Sequence, residues 1–225
     1  KSKIIIPAFS VGRTQELVYA LHRIFEGKKV ESMPVYVDSP LAVNATHVFS
    51  LHPECFDMET LDFLARDEDP FGFKRLTYIT DVEESKKLNF IKGPCIIISS
   101  SGMCEAGRIL HHLANNISNP HNIILMVGYS AEHTLGRKLI DGEKNVNIFG
   151  DEYNVEAEVI VMQSFSAHAD ENELLNYAST LDKKRMQEIF LVHGEIDQQE
   201  IFRKHLGANG FSKILIPDRG DEVTL

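Results

Sequence analysis

Short apolar segments and amphipathic segments alternate along most of this chain, and the alternation restricts the fold more than any other feature. Strands that alternate with helices are joined by crossover connections, which produce a largely parallel sheet. We therefore expect an α/β fold with a largely parallel, doubly wound sheet flanked by helices. The patterns predict strands at residues 4–9, 35–38, 95–99, 123–127, 159–162, 189–192 and 214–216, and helices at residues 14–26, 41–51, 83–90, 105–115, 171–180 and 198–206.

Two stretches depart from this alternation of strand and helix patterns. Residues 53–74 are acidic and aromatic, and they indicate an insertion or a small helical cap. The composition changes again near residues 142–158, which is the best candidate for a domain boundary. This boundary separates a doubly wound unit from a shorter piece of about two strands and two helices, which is too small to hold a core alone.

Composition excludes several classes of protein. A chain of 225 residues with 43% hydrophobic residues can bury a substantial core, and its longest apolar stretches are too short to span a bilayer. Because nothing at the amino terminus resembles a signal peptide, we expect a cytoplasmic protein without membrane association. The three cysteines have no CxxC spacing, which argues against a disulfide framework or a zinc–thiolate site.

The net charge of -10 does not favour nucleic-acid binding, because phosphate contacts need a basic surface. A polyanion would have to be held by local arginines, helix N-termini or metal ions. The ends of the predicted strands offer such groups. Arg13 follows the first strand, where an anion-binding corner and an ordinary turn explain the residues equally well. After the second strand, Asp38 or Ser39 is available as a helix cap, and capping alone explains that segment.

The third and fourth strand ends are more informative. Ser99, Ser100 and Ser101 precede Gly102 at a helix entrance, followed by Arg108 and the pair His111-His112. Helical spacing places at least one of these imidazoles on the same face as the guanidinium, which makes this segment a candidate phosphate cradle. The fourth strand leads into Tyr129, an aromatic suited to stacking, and then into Arg137, a second guanidinium for phosphate.

Two further strand exits each carry a histidine. His168 lies in Ser-Phe-Ser-Ala-His-Ala-Asp, and His193 lies in Leu-Val-His-Gly-Glu. Loops at the carboxyl ends of strands form the ligand crevice of an α/β sheet, so the two imidazoles are candidates for one site. A single such histidine is more often a surface residue, but two in matching positions favour metal ligation or proton transfer.

Four segments in chain order closely resemble the β-CASP ribonucleases of the metallo-β-lactamase superfamily. They are residues 7–17 (PAFSVGRTQEL), residues 35–42 (VYVDSPLA), residues 101–108 (SGMCEAGR), and Gly128-Tyr129 together with residues 134–137 (TLGR). The resemblance runs from about residue 3 to the end of the chain. It implies a β-CASP domain at residues 1–151, and at residues 152–225 a short αβ segment that completes a metallo-β-lactamase fold.

The resemblance also implies roles for the two histidines. His168 matches the family histidine that assists protonation of the leaving oxygen, and His193 matches a ligand to one of two zinc ions. The other family ligands lie in a His-x-His-x-Asp-His motif and later positions upstream of the matching strand, and this chain contains no such motif. Because catalytic zinc needs at least three protein ligands, we expect this chain alone to bind metal weakly and to be inactive.

The favoured interpretation is therefore a fragment of a zinc-dependent ribonuclease that hydrolyses phosphodiester bonds of single-stranded RNA. A non-catalytic RNA- or nucleotide-binding α/β module is the main alternative, and a hydrolase of small esters is a third. The sequence leaves open whether the protein forms a homodimer. The candidate substrate-binding residues are Arg13, Ser101, Arg108, His112 and Arg137.

Overall fold

A computed structural model gives the structure of the protein and describes residues 2–28, 30–66, 69–162, 165 and 169–223. Over this part of the chain the fold divides into two compact units, Lys1–Ser166 (unit 1) and Ala167–Leu225 (unit 2). Within the described residues, no helix is both long enough and apolar enough to cross a bilayer.

Unit 1 is built on a parallel sheet that has six strands among the described residues, in the order β3-β2-β4-β1-β5-β8. The prediction of an α/β fold with a largely parallel sheet is confirmed. The strands are β1 (Lys3–Pro7), β2 (Val35–Asp38), β3 (Leu76–Ile79), β4 (Cys95–Ser99), β5 (Ile123–Met126) and β8 (Glu158–Val161). The helices are α1 (Arg13–Glu26), α2 (Pro40–Leu51), α3 (Met58–Arg66), α4 (Val82–Leu88), α5 (Arg108–Asn116) and α6 (Leu135–Ile140).

Helices cover both faces of this sheet, which explains why the central strands are apolar runs rather than alternating ones. Successive side chains of a strand point to opposite faces. Ile5 and Ile97 therefore pack with α5 and α6 on one face, in a cluster that includes Leu113. Ile6 and Ile98 pack with α1 and α2 on the other face. Each such buried side chain contributes about 1.5–3 kcal/mol through removal of apolar surface from water.

Some elements were not expected from the sequence. Residues 53–74, predicted as an insertion or small helical cap, contain a short 3-10 helix at Pro53–Cys55 and α3. The edge strand β3, helix α6 and an antiparallel hairpin of β6 (Asn145–Ile148) and β7 (Asp151–Asn154) were missed. Strand β8 pairs in parallel with β5, so the compact units divide after Ser166. The division at residue 151 stays a prediction.

Unit 2 contains two helices and a two-stranded parallel sheet within its described residues, as the sequence predicts for the shorter piece. Its helix α7 begins with a capping box, in which the Asp170 carboxylate accepts from the Glu173 N–H and the Glu173 carboxylate accepts from the Asp170 N–H. The elements are α7 (Glu171–Ser179), β9 (Ile189–Phe190), α8 (Ile196–Ala208) and β10 (Ile214–Leu215).

The parallel arrangement determines where polar groups gather in unit 1. Strands β1, β2, β4 and β5 run in the same direction, so their carboxyl ends lie along one edge of the sheet. We call this the carboxyl edge, formed by residues 8–13, 38–40, 99–108 and 127–130. It contains the strand ends that the sequence marks as anion-binding.

Candidate nucleic-acid interface

Three serine hydroxyls meet where β1, β2 and β4 end. The Ser10 and Ser39 hydroxyl oxygens are 3.0 Å apart, and the Ser100 hydroxyl donates to Ser39 Oγ over 3.0 Å. Ser39 Oγ also accepts from the backbone N–H of Ala42 at 3.2 Å and so caps α2. These contacts join three strand ends that are widely separated in the sequence.

The residue before Ser39 is Asp38, whose carboxylate is fully buried. Its Oδ2 accepts from Ser85 Oγ at 2.5 Å and lies 2.7 Å from His112 Nε2, and its Oδ1 accepts from Arg108 Nη1 at 2.7 Å. We call these four residues the Asp38 network. Burial alone would raise the pKa of Asp38, but the hydrogen bonds from His112, Ser85 and Arg108 outweigh it and hold the pKa below its ordinary value.

The cationic member of this network is anchored at several atoms. Arg108 Nη2 donates to the carbonyl oxygen of Thr80 at 2.6 Å, and only 19% of the arginine side chain is exposed. His112 is completely buried, and its Nδ1 lies 3.0 Å from Asn89 Oδ1. The network therefore fixes α5 against the ends of β2 and β3.

The turn that leads from β4 into α5 depends on Gly107. Its φ of +85° is unfavourable for other residues, and a Cβ there would lie 2.4 Å from the carbonyl oxygen of Ser100. The Ser101 hydroxyl accepts from the backbone N–H groups of Glu105 and Ala106 at 3.1 and 3.4 Å. The hydroxyl thus stabilises the turn that carries it.

Two of the predicted RNA-binding arginines lie apart from the Asp38 network. Arg13 forms an ion pair with Glu16, and its guanidinium carbon is 5.7 Å from the centre of the Phe165 ring. Arg137, whose side chain is 43% exposed, forms an ion pair at 2.9 Å with Asp141, the C-cap residue of α6. Neither observation tests RNA binding, so these assignments remain predictions.

For Arg108, Ser101 and His112 the structure adds a role within the protein itself. Spacing correctly indicated that Arg108 shares a helix face with an imidazole, which is that of His112. The buried position of His112 leaves it no surface for RNA, so the geometry favours a positioning role over direct contact. RNA contact by Arg108 or Ser101 stays a prediction.

Asp38, Ser85 and Asn89 were missed as parts of this site. The sequence suggested Asp38 or Ser39 as a helix cap; Ser39 is the cap, and Asp38 is the buried acceptor. The available signal was a carboxylate at the end of a buried apolar strand, because a charge in that position needs a partner.

The structure describes only one of the two candidate histidines of the metal site. His168 lies outside the described residues. His193 follows β9 in unit 2, is exposed, has a φ of +67°, and borders a cavity of about 330 Å³ together with Phe202. Within the described ranges, no group of three or more His, Cys, Asp or Glu side chains is arranged to hold a metal ion. The described residues therefore do not fit a zinc centre by themselves.

The fold and the carboxyl edge define this chain as an α/β protein with a polar strand-end surface. Comparison with known families is more specific. Residues 14–139 match the family described as the Beta-Casp domain, and residues 152–217 match the family described as the Zn-dependent metallo-hydrolase RNA specificity domain. The chain belongs to the Beta-Casp family.

Similar proteins include a ribonuclease and a termination factor. Ribonuclease TTHA0252 of Thermus thermophilus is 35% identical over 211 residues, which cover 92% of this chain and 47% of the relative. An RNase J-like protein of Methanocaldococcus jannaschii is 32% identical, over 97% of this chain and 49% of its own length. The transcription termination factor FttA of Methanosarcina mazei is 30% identical, over 85% of this chain and 31% of its own length. The chain thus spans about half the length of the first two relatives.

Proposed function

We propose that this chain is part of a zinc-dependent ribonuclease that hydrolyses phosphodiester bonds of single-stranded RNA, with the carboxyl edge of unit 1 as an RNA-binding surface. The observation that carries the proposal is the meeting of Ser10, Ser39 and Ser100 next to the Asp38 network, in a chain with relatives named Ribonuclease TTHA0252 and RNase J-like protein. The matches to the Beta-Casp domain and to the RNA specificity domain support RNA as the substrate class.

The electrostatics of the edge are compatible with this role although the net charge is -10. Arg108 forms an ion pair with Asp38, so the positive charge of the guanidinium reduces the repulsion between this buried carboxylate and a bound polyanion. Hydroxyl groups and the backbone N–H groups of helix entrances bind phosphate oxygens without a positive net charge. The surface therefore binds RNA locally.

The proposed domain assignment gives residues 152–225 to the metallo-hydrolase domain, with His168 and His193 in its reaction centre. Two zinc ions would supply an activated hydroxide and charge stabilisation in the complete site. His168 would donate the proton to the leaving oxygen, and His193 would be a metal ligand.

The test uses the longer protein of which, in this proposal, the chain is a part. His168→Ala should reduce cleavage of single-stranded RNA by about a hundredfold to ten-thousandfold with metal content kept. His193→Ala should lower zinc content as well as cleavage. If the wild type binds RNA but never cleaves it, the proposal gives way to the non-catalytic RNA-binding module. Equal behaviour of the two variants in both assays would refute the separate roles.

A further inference from the structure

Phe9 is an exposed aromatic residue at the carboxyl edge, next to the serine hydroxyls of the proposed RNA-binding surface. Half of it is accessible to solvent (50%), although the preceding residue, Ala8, is buried at 1% exposure. Its backbone is firmly held, because its carbonyl oxygen accepts from both the N–H and the hydroxyl of Thr14, at 3.2 and 2.7 Å. The ring is therefore presented from a fixed part of the main chain.

The ring is also supported on one side. A Cβ built on Gly102 would lie 3.0 and 3.1 Å from Cδ2 and Cε2 of the Phe9 ring, tighter than nine in ten real Cβ contacts. Glycine at this position lets the turn after β4 approach the ring, while much of the ring remains exposed. The neighbouring Ser10 is buried within the hydroxyl cluster, whereas Ser100, the partly exposed member of that cluster, lies two residues before Gly102.

We propose that Phe9 is a stacking platform for one base of single-stranded RNA. This inference rests on the proposed function and adds the means by which that surface holds RNA. A protein with a net charge of -10 gains little from general attraction to phosphate, so it needs contacts that salt does not screen. Stacking of a base on an aromatic ring is such a contact, and it tolerates any base because every base has a π-face.

The experiment measures binding of the 225-residue chain to a short single-stranded RNA that carries one 2-aminopurine, whose fluorescence is quenched when it stacks. Phe9→Ala should weaken binding roughly 5- to 150-fold and remove the quenching. The loss of affinity caused by Phe9→Ala should be similar at low and high salt, because stacking does not release counterions. Phe9→Trp should keep both affinity and quenching.

Two controls separate stacking from a structural effect. Phe90→Ala removes another exposed ring (79%) from a segment that precedes β4, at the opposite edge of the sheet, and should leave binding unchanged. Phe9→Leu keeps apolar packing but has no π-face, so it should behave like Phe9→Ala.

The outcomes distinguish this inference from the proposed function. If the wild-type chain binds RNA and Phe9→Ala binds it equally well with equal quenching, the stacking role is wrong and the RNA-binding surface stands. If Phe9→Leu restores both measurements, the ring acts only through packing and the inference is also overturned. If the wild-type chain binds no single-stranded RNA, both fail, and Phe9 is then to be tested as a contact for a protein partner.

Discussion

Replacing Asp38 by asparagine tests whether the buried network stabilises the carboxyl edge. The asparagine side chain has the same shape but only one acceptor oxygen, whereas Asp38 Oδ1 faces Arg108 and Oδ2 faces Ser85 and His112. In either orientation the new amide group points at a donor. Breaking a buried ion pair by removing one partner costs about 3–5 kcal/mol. Because 19% of the Arg108 side chain reaches water, we expect the lower end of that range, about 3 kcal/mol.

The assay is urea unfolding followed by far-ultraviolet circular dichroism, with attention to the transition of unit 1. Asp141→Asn is the matched control, since it removes an exposed carboxylate that pairs with Arg137 within α6 and its C-cap. Such exposed pairs contribute about 0–1 kcal/mol. If Asp38→Asn lowered the free energy of unfolding by no more than Asp141→Asn does, the network would not stabilise the edge.

Three further predictions concern pH, thiols and metal. Because the pKa of Asp38 is depressed in the folded protein, its contribution is fully present above its unfolded-state pKa of about 4 and is lost as pH falls through the lower folded-state pKa. The difference in unfolding free energy between wild type and Asp38→Asn should therefore narrow in that acidic range, and a difference independent of pH would contradict the assignment. In the native chain at neutral pH only Cys55 should react rapidly with a thiol reagent, because it is exposed, whereas burial raises the pKa of Cys95 and raises that of Cys104 to about 12. Mass spectrometry counts the modified thiols, and fast labelling of Cys104 would show that its site opens. After dialysis the 225-residue chain should hold less than one zinc ion, since only His193 is an expected ligand; one or two tightly held ions by metal analysis would overturn that expectation.

The sheet was largely predictable because its central strands are continuous apolar runs with clear ends. The bounds of β2 and β4 agree with the prediction, since Asp38 and Ser99 mark where each apolar run stops. Strand β3 was missed because Thr77 and a partly exposed Leu76 weaken its apolar pattern at the edge of the sheet. Such a strand is stabilised by its partner β2 rather than by its own composition.

The candidate site was predictable only in part. The spacing of Arg108 and His112 follows from the helical period, but spacing does not decide whether that face points inward. The answer depends on Asp38, which is 70 residues from Arg108 and 74 from His112 in the chain. Contacts at such separations follow from strand order and register, which local patterns do not specify. The likeness to β-CASP ribonucleases was confirmed by the family matches because it rests on several motifs in order.

The long separations within the Asp38 network also bear on how unit 1 folds. Its hydrogen bonds from Ser85, Arg108 and His112 close loops of 47, 70 and 74 residues. The entropic cost of closing these loops must be compensated before the hydrogen bonds can form. We therefore expect the network to assemble after the folding transition state, with a φ-value near zero for Asp38→Asn and a faster unfolding rate. A value near one in stopped-flow kinetics would contradict this order. The carboxyl edge would then be among the last parts of the unit to form and among the first to open. Any activity at this edge would therefore depend on how long the edge stays folded as well as on its geometry.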